Sequence, residues 1–545
     1  MKIALCQINP IIGDFSGNAA IIKTEAQRAK EMGAELAIFP ELALCGYPPM
    51  DYLEHPAFLE GQNHVLDRLI GEINGIAILT GIISACPQER GKPLHNSAML
   101  FRNGEILHTS HKKLLPTYDV FDESRYFQPG TASQFFCLDG LNMGITICED
   151  LFNDPDAFAE RLYDTDPVAD VNAEHDLDLL INIAASPFTM GKQEVRRTAF
   201  AAISGKYGLP LLYCNQVGGQ DSLLFDGASF ALDRQGRLCA QARAFADDLL
   251  MIDSSRLVPT APPATDQVAA VHDGLIMGTR DYLHKCGFRR AIVGLSGGID
   301  SALTCALACS ALGAENVMGV GMPSPYSSPG SITDAEQLAV NLGIRFELLP
   351  IDQILAACQA SLAPLFEGLQ EDVTEQNIQA RIRGLLLMAL ANKYQGLLLS
   401  TGNKSELAVG YCTLYGDMNG ALAVLADVPK LLVYELARYV NREGEIIPTN
   451  TISKAPSAEL APNQKDQDIL PPYEVLDPIL SAYLEEHKSL SEIIAAGFDE
   501  EIVRDVVWRI KSNEHKRKQA ALGLKVTSKA FGFGRRYPTA ERFQG

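Results

Sequence analysis

Cationic side chains are in short supply in this 545-residue chain: 46 Lys and Arg stand against 67 Asp and Glu, a formal net charge of -21. Coating nucleic acid needs the opposite balance, because phosphate binding is driven by Lys and Arg. The balance argues against a nucleic-acid partner, although it does not forbid a local basic pocket. The 12 cysteines are scattered singly, without a Cys-x-x-Cys pair or a zinc spacing. That argues against a disulfide framework or structural zinc and for a reducing compartment. Cys305 and Cys309, four apart after a Gly-rich turn, read as small buried residues rather than ligands. No stretch approaches the roughly 20 apolar residues of a membrane helix, and residues 1–9 run straight into an apolar strand without the charged region and cleavage site of a secretory leader. The expected setting is the cytoplasm, with no membrane partner. Internal repeats and low-complexity tracts are also missing.

A hydrophobic content of 47% with 21% charged residues is that of a globular protein. The length exceeds one ordinary core, so two or more domains are expected. In the first half, apolar runs at 2–8, 36–39, 76–84, 97–101, 143–148, 179–183 and 211–215 alternate with amphipathic helices such as 18–32. A hairpin follows at 229–238. This rhythm predicts an α/β sandwich. Residues 257–266, Leu-Val-Pro-Thr-Ala-Pro-Pro-Ala-Thr-Asp, are proline-rich and cannot build a core, so they read as a linker. We place the domains at 1–255 and 268–545, with 256–267 between them. The second half opens with a helix at 272–286 and short strands at 291–293, 317–321, 346–349 and 396–400, the pattern of a doubly wound parallel sheet. The Lys-, Arg- and Gly-rich tail, 511–544, reads as an ordered lid or substrate loop.

The most specific string is Gly294-Leu295-Ser296-Gly297-Gly298-Ile299-Asp300-Ser301, between an apolar strand and a small-residue helix. Such a turn aims backbone N–H groups and a helix N-terminus at one spot that suits a phosphate. Gly297 and Gly298 allow close approach. The Walker lysine is absent, so the chemistry is not kinase-like; Ser296 and Ser301 offer hydroxyls, and Asp300 a carboxylate for Mg²⁺. The string resembles the loop of the ATP pyrophosphatase superfamily, which adenylates a carboxylate or carbonyl before a nitrogen nucleophile attacks.

Three strings in the first half carry reactive groups: Phe39-Pro40-Glu41 ends an apolar run with a carboxylate, Lys112-Lys113-Leu114-Leu115-Pro116 sets a lysine before a Leu-Pro turn, and Ile147-Cys148-Glu149-Asp150 ends another run with a thiol. A thiol nucleophile, a carboxylate that moves protons and an ammonium that steadies an oxyanion form a workable amidase site. Each alone has a plainer reading: a core thiol, a solvated lysine, a helix-start carboxylate. Together, in this order, they resemble the nitrilase (carbon–nitrogen hydrolase) superfamily. Lys112 is taken over Lys113 because it stands three before Leu115.

A nitrilase-like half joined to an ATP-pyrophosphatase half resembles, over essentially the whole chain, the glutamine-dependent NAD⁺ synthetases. Supporting strings include Ser186-Pro187-Phe188, Asn215-Gln216-Val217-Gly218-Gly219-Gln220-Asp221, Thr401-Gly402-Asn403-Lys404-Ser405-Glu406 and Asn513-Glu514-His515-Lys516-Arg517. The resemblance implies an α/β/β/α glutaminase domain with Glu41, Lys112 and Cys148 as catalytic residues. It implies glutamine held by Tyr118, Ser186 and Lys192, ATP by 294–301 and Thr401, deamido-NAD⁺ by Asn377, Glu406 and Lys516, and Mg²⁺ by Asp300 and Glu406. A homo-oligomer and an ammonia tunnel are implied as well. On the residues alone, Asn377 reads equally as a helix cap, Glu406 as a surface carboxylate and Lys516 as part of a solvated basic run. The stretch 519–524 departs from the Pro-Pro-Gly often found there in the family. Another pyrophosphatase-type amidotransferase, or a nucleotide sensor without turnover, are the alternatives.

Overall fold

The computed structural model describes residues 1–87, 90–132, 134–158, 162–462 and 464–542. It divides into two compact units, Met1–Thr265 and Asp266–Gly545. The last residues of the tail, Phe543, Gln544 and Gly545, lie outside the described residues.

The first unit is an α/β/β/α sandwich of two six-stranded sheets. One runs Asp248–Asp253, Lys2–Gln7, Leu36–Ile38, Ala77–Ala85, Leu94–Arg102, Glu105–His111; the other runs Leu238–Gln241, Phe230–Leu232, Leu211–Asn215, Leu179–Ala184, Leu141–Ile147, Phe135–Leu138. The period-two alternation of a strand explains the layering. Ile3 and Leu5 face the inter-sheet core with Ile145, Ile147 and Ile181, while Ala4 and Cys6 face helices Phe15–Glu31 and Pro56–Glu72 through Ile22, Ala26 and Leu69. Both faces are buried, so these strands read as continuous apolar runs rather than alternating ones. Three parallel strands of the second sheet, Leu141–Ile147, Leu179–Ala184 and Leu211–Asn215, end in the polar segments that carry Cys148, Ser186 and Asn215.

The second unit holds an all-parallel sheet in the order Arg345–Leu348, Val317–Gly321, Ala291–Gly294, Leu397–Ser400, Leu422–Ala423, Leu522–Gly523. The chain moves outward from Ala291–Gly294 in one direction and then returns to build the other half. The reversal lies between Gly294 and Ser400, where ligands bind in doubly wound folds. The tail differs from the lid expected for it: Leu522–Gly523 is the sheet's edge strand, and Leu524 and Val526 are fully buried. Two residues are too few for a strand pattern in sequence, and their register comes from Leu422 and Ala423. Among the described residues, no helix is long and apolar enough to cross a membrane.

Candidate active site

Strand Leu141–Ile147 delivers Cys148 into the left-handed region, φ +43°, at the start of a 3₁₀ turn, Cys148–Leu151. A side chain there is strained by roughly 1–3 kcal/mol, so the surroundings must hold it. Asp150 does much of this. Its Oδ2 accepts from Ile147 N at 3.1 Å and from Gln134 Nε2 at 2.7 Å, and its Oδ1 accepts from the N–H groups of Lys113 and Leu114 at 3.0 and 2.9 Å. Asn182 Nδ2 donates to the Cys148 carbonyl at 3.3 Å.

Lys112 is 1% exposed and donates to Glu41 Oε1 at 2.7 Å and to Glu123 Oε1 at 2.8 Å. Glu41 also accepts from Asn96 Nδ2 at 2.7 Å and from Ala185 N at 2.9 Å, and Tyr47 donates to Glu123 at 2.8 Å. Burial opposes the Lys112 charge, yet Glu123 and Glu41 outweigh it and hold the ammonium well above its usual range. Burial pushes Glu123 up to about 7 against the pull of Lys112, with Glu41 adding repulsion. The Cys148 thiol is raised by burial and by Glu41, against Lys112, so it rests protonated and needs a base to give up its proton. Neighbouring Lys113 points elsewhere, its Nζ 3.8 Å from Asp170.

Tyr118 and Tyr163 both donate to Glu149, at 3.0 Å each. Burial raises the Glu149 carboxyl, opposed by Lys112, the two tyrosines and Lys192, which opens helix Lys192–Tyr207. Ser186 donates its N–H to Asn215 Oδ1 at 2.9 Å and accepts from Arg196 Nη1 at 3.3 Å; Arg196 is itself buried against Asp226. The structure thus gathers Glu41, Lys112 and Cys148 in one electrostatic cluster, and sets Tyr118 and Lys192 about Glu149. Glu123 was invisible to motif reasoning: it sits in a short 3₁₀ turn, Glu123–Arg125, in a stretch that also carries Asp119 and Asp122, so nothing in the string singles it out. Glu149 and Asp150 stood in the cysteine string without a role.

In the second unit, every residue of the 294–301 loop except Gly297 lines a cavity of ≈ 320 Å³, together with Thr401 and Glu406. Gly297 has φ +77°, and a Cβ on it would lie 2.2 Å from the Ser331 carbonyl oxygen, so only glycine fits. The serines brace the loop: Gly298 N donates to Ser296 Oγ at 3.2 Å, and Ser301 Oγ donates to Gly298 O at 3.0 Å. Asp300 accepts from Asn403 Nδ2 at 2.9 Å and from Lys430 Nζ at 2.5 Å, and Lys430 also reaches Glu406 Oε1 at 3.3 Å. Burial pushes Glu406 up to about 8, opposed by Lys430 and reinforced by Asp300. Lys430 is held up by Asp300 and Glu406 despite its burial.

No group of three or more His, Cys, Asp or Glu side chains converges as a metal site among the described residues. Two carboxylates turned toward one ammonium nevertheless fit Mg²⁺, which takes one or two protein carboxylates and completes its shell with phosphate oxygens and water. Asn377 and Lys516 do not line this cavity. Asn377 accepts from Thr413 Oγ1 at 2.8 Å, and Lys516 donates to the carbonyls of Gly410 and Cys412 at 2.7 and 2.9 Å. The Lys516 charge closes the backbone after helix Lys404–Val409. Lys430 was missed because an isolated lysine opening an apolar helix carries no motif.

Residues 2–258 match the carbon–nitrogen hydrolase family model and residues 272–520 match the NAD synthase family model. A glutamine-dependent NAD(+) synthetase of Synechocystis is 48% identical, over 99% of both chains. Another, of Thermotoga maritima, is 39% identical over 100% of this chain and 99% of its own. Among solved structures, a glutamine-dependent NAD⁺ synthetase from Acinetobacter baumannii, in complex with ADP, superposes with a TM-score of 0.78 at 40% identity, covering 99% of this chain and 98% of its own.

Proposed function

The chain belongs to the glutamine-dependent NAD(+) synthetase family and carries out ATP-dependent amidation of deamido-NAD⁺ with glutamine as nitrogen donor; from that premise we propose that its two units divide the work, the first releasing ammonia and the second activating the nicotinate carboxylate. The observation that carries this reading is the buried Lys112, ion-paired to Glu41 and Glu123 beside the strained Cys148, in a unit separate from the Gly-rich cavity.

In the first unit, Glu149 receives the α-ammonium of glutamine, Lys192 its α-carboxylate, and Tyr118 and Ser186 complete the pocket. Glu41 takes the Cys148 proton, and the thiolate adds to the side-chain amide carbon. Lys112 stabilises the oxyanion. Glu41 returns the proton to the departing nitrogen, leaving a thioester and ammonia. Water, deprotonated by Glu41, then releases glutamate and restores the thiol.

In the second unit, the 294–301 loop and Thr401 cradle ATP. An oxygen of the nicotinate carboxylate attacks the α-phosphorus, and pyrophosphate leaves. Ammonia then attacks the acyl carbon of the adenylate, loses a proton, and AMP departs with the original carboxylate oxygen. Adenylation is needed because a carboxylate resists attack by an amine. Asp300 and Glu406 would hold Mg²⁺, which when bound offsets the charge on the pyrophosphate. Asn377 and Lys516, which brace the 410–413 segment, contribute to deamido-NAD⁺ binding through that segment. Exposed apolar side chains on helix Val373–Tyr394, Leu385 and Met388, support a homo-oligomer, and a substrate pair of ATP and a dinucleotide supports a cytoplasmic site of action.

The test is isotopic. Deamido-NAD⁺ labelled with ¹⁸O in its carboxylate should pass one label to AMP for every NAD⁺ formed. Label in inorganic phosphate, with ADP as product, would show an acyl phosphate instead and refute the adenylate.

A further inference from the structure

Five carboxylates line the second unit's cavity against three cations, Arg383, Lys430 and Lys454. Two of those cations are already committed to acids. Lys430 pairs with Asp300 and Glu406, and Lys454 lies 3.1 Å from Asp334. Arg383 is different. Its Nε donates to the Met322 carbonyl at 3.0 Å, and among the described residues its guanidinium makes no ion pair and no other hydrogen bond. The nearest acids are engaged elsewhere: Glu459 accepts from the Ser328 and Ser331 hydroxyls at 2.9 and 2.7 Å, and Asp417 accepts from Thr413 N at 2.7 Å. The half-buried guanidinium keeps its terminal nitrogens open to the cavity, where water meets them until a ligand takes its place.

The position is fixed rather than floppy. Arg383 sits on helix Val373–Tyr394 beside Gly384, where a Cβ would come within 2.4 Å of Asn419 Nδ2, so helix and loop are in close contact. Its Nε is anchored to Met322, just beyond strand Val317–Gly321, which pairs alongside the strand that feeds the 294–301 loop. Burial lowers the guanidinium's proton affinity, with Glu459 and Asp417 opposing.

We propose that Arg383 is a nucleotide-binding residue: its free fork, held at the carboxyl end of the sheet, receives phosphate oxygens of ATP in a cavity otherwise short of uncommitted positive charge. Arginine suits this, since its planar fork bonds two phosphate oxygens at once and stays charged where a lysine would yield its proton. The proposal rests on reading the Gly-rich cavity as the ATP site.

The experiment titrates the full chain calorimetrically with ADP and with adenosine, for wild type, Arg383→Met and Arg383→Lys. Arg383→Met should weaken ADP by at least about tenfold and adenosine by less than about twofold, with Arg383→Lys between. The melting temperature of the ligand-free Arg383→Met protein should match that of wild type, because the side chain gives up only its one hydrogen bond to the Met322 carbonyl. Unchanged ADP affinity overturns the proposal, and so do equal losses for ADP and adenosine, or a lowered ligand-free melting temperature with lost binding. Wild type that fails to bind ADP overturns the ATP-site reading itself.

Discussion

Lys112→Met tests the buried cluster of the first unit, because methionine keeps most of the lysine volume and removes only its charge. In wild type the ammonium lies 2.7 Å from Glu41 and 2.8 Å from Glu123, with all three side chains no more than 6% exposed. Removing one partner from such an arrangement leaves buried charge uncompensated, which costs about 3–5 kcal/mol. For a unit of this size that is a fall of about 6–20 °C in melting temperature. The loss should depend on pH. Glu123, raised to about 7, binds a proton in the folded state that the unfolded chain has released, so it weakens stability as pH rises, until it ionises near 7 and the effect levels off. Without Lys112 its affinity for the proton rises further, and the decline continues. The gap between variant and wild type should therefore widen by up to about 1.4 kcal/mol from pH 7 to pH 8. Glutamine hydrolysis should fall by roughly 10²–10³-fold for loss of the oxyanion donor. Lys113→Met, removing only the long contact to Asp170, should change stability by about 0–1 kcal/mol and leave hydrolysis nearly intact. The assays are thermal unfolding at pH 7 and pH 8 and glutamate release. A Lys112→Met protein with wild-type stability and wild-type hydrolysis would refute the reasoning, as would the reverse ranking of the two lysines.

Gly297→Ala forces a side chain into a left-handed backbone and onto the Ser331 carbonyl, so it should lower the stability of the second unit by about 1–2 kcal/mol or more and weaken ADP binding while sparing glutamine hydrolysis, read by calorimetry and glutamate release. Asp300→Asn should reduce NAD⁺ formation by about 100-fold or more with either glutamine or ammonium as donor; normal turnover at limiting Mg²⁺ would exclude a metal role. Glu406, raised to about 8, contributes stability below its unfolded pKa that is lost as pH rises through 8, so Glu406→Gln should flatten the decline in ligand-free stability between pH 5 and pH 8, measured by thermal melts.

What the sequence disclosed follows from how each signal arises. Cys148, Glu41 and the Gly-rich loop stand where apolar runs stop, and a buried strand makes that boundary sharp. The parallel strands were legible for the same reason: burial on both faces leaves long unbroken apolar runs. Glu123 and Lys430 were not legible, because their partners, Lys112 and Asp300, come together only through the tertiary fold, 11 and 130 residues away in sequence. The tail misled because its Lys-, Arg- and Gly-rich composition reads as a lid or substrate loop rather than as part of a packed unit. In fact Arg517 and Arg535 both close on the buried Glu514, and Lys516 closes on two carbonyls. Hydrogen bonds to backbone leave no trace in a residue string.

The division of labour is tested most directly with Cys148→Ala, by measuring NAD⁺ formed per AMP released with each nitrogen donor. If the thiol acts only to liberate nitrogen, as proposed, the variant should make no NAD⁺ from glutamine yet synthesise it from ammonium at a ratio near one, with a rate that rises toward the ammonium pKa as free ammonia increases. A variant with an unchanged melting temperature that ammonium fails to rescue, or one that still uses glutamine, would contradict the account.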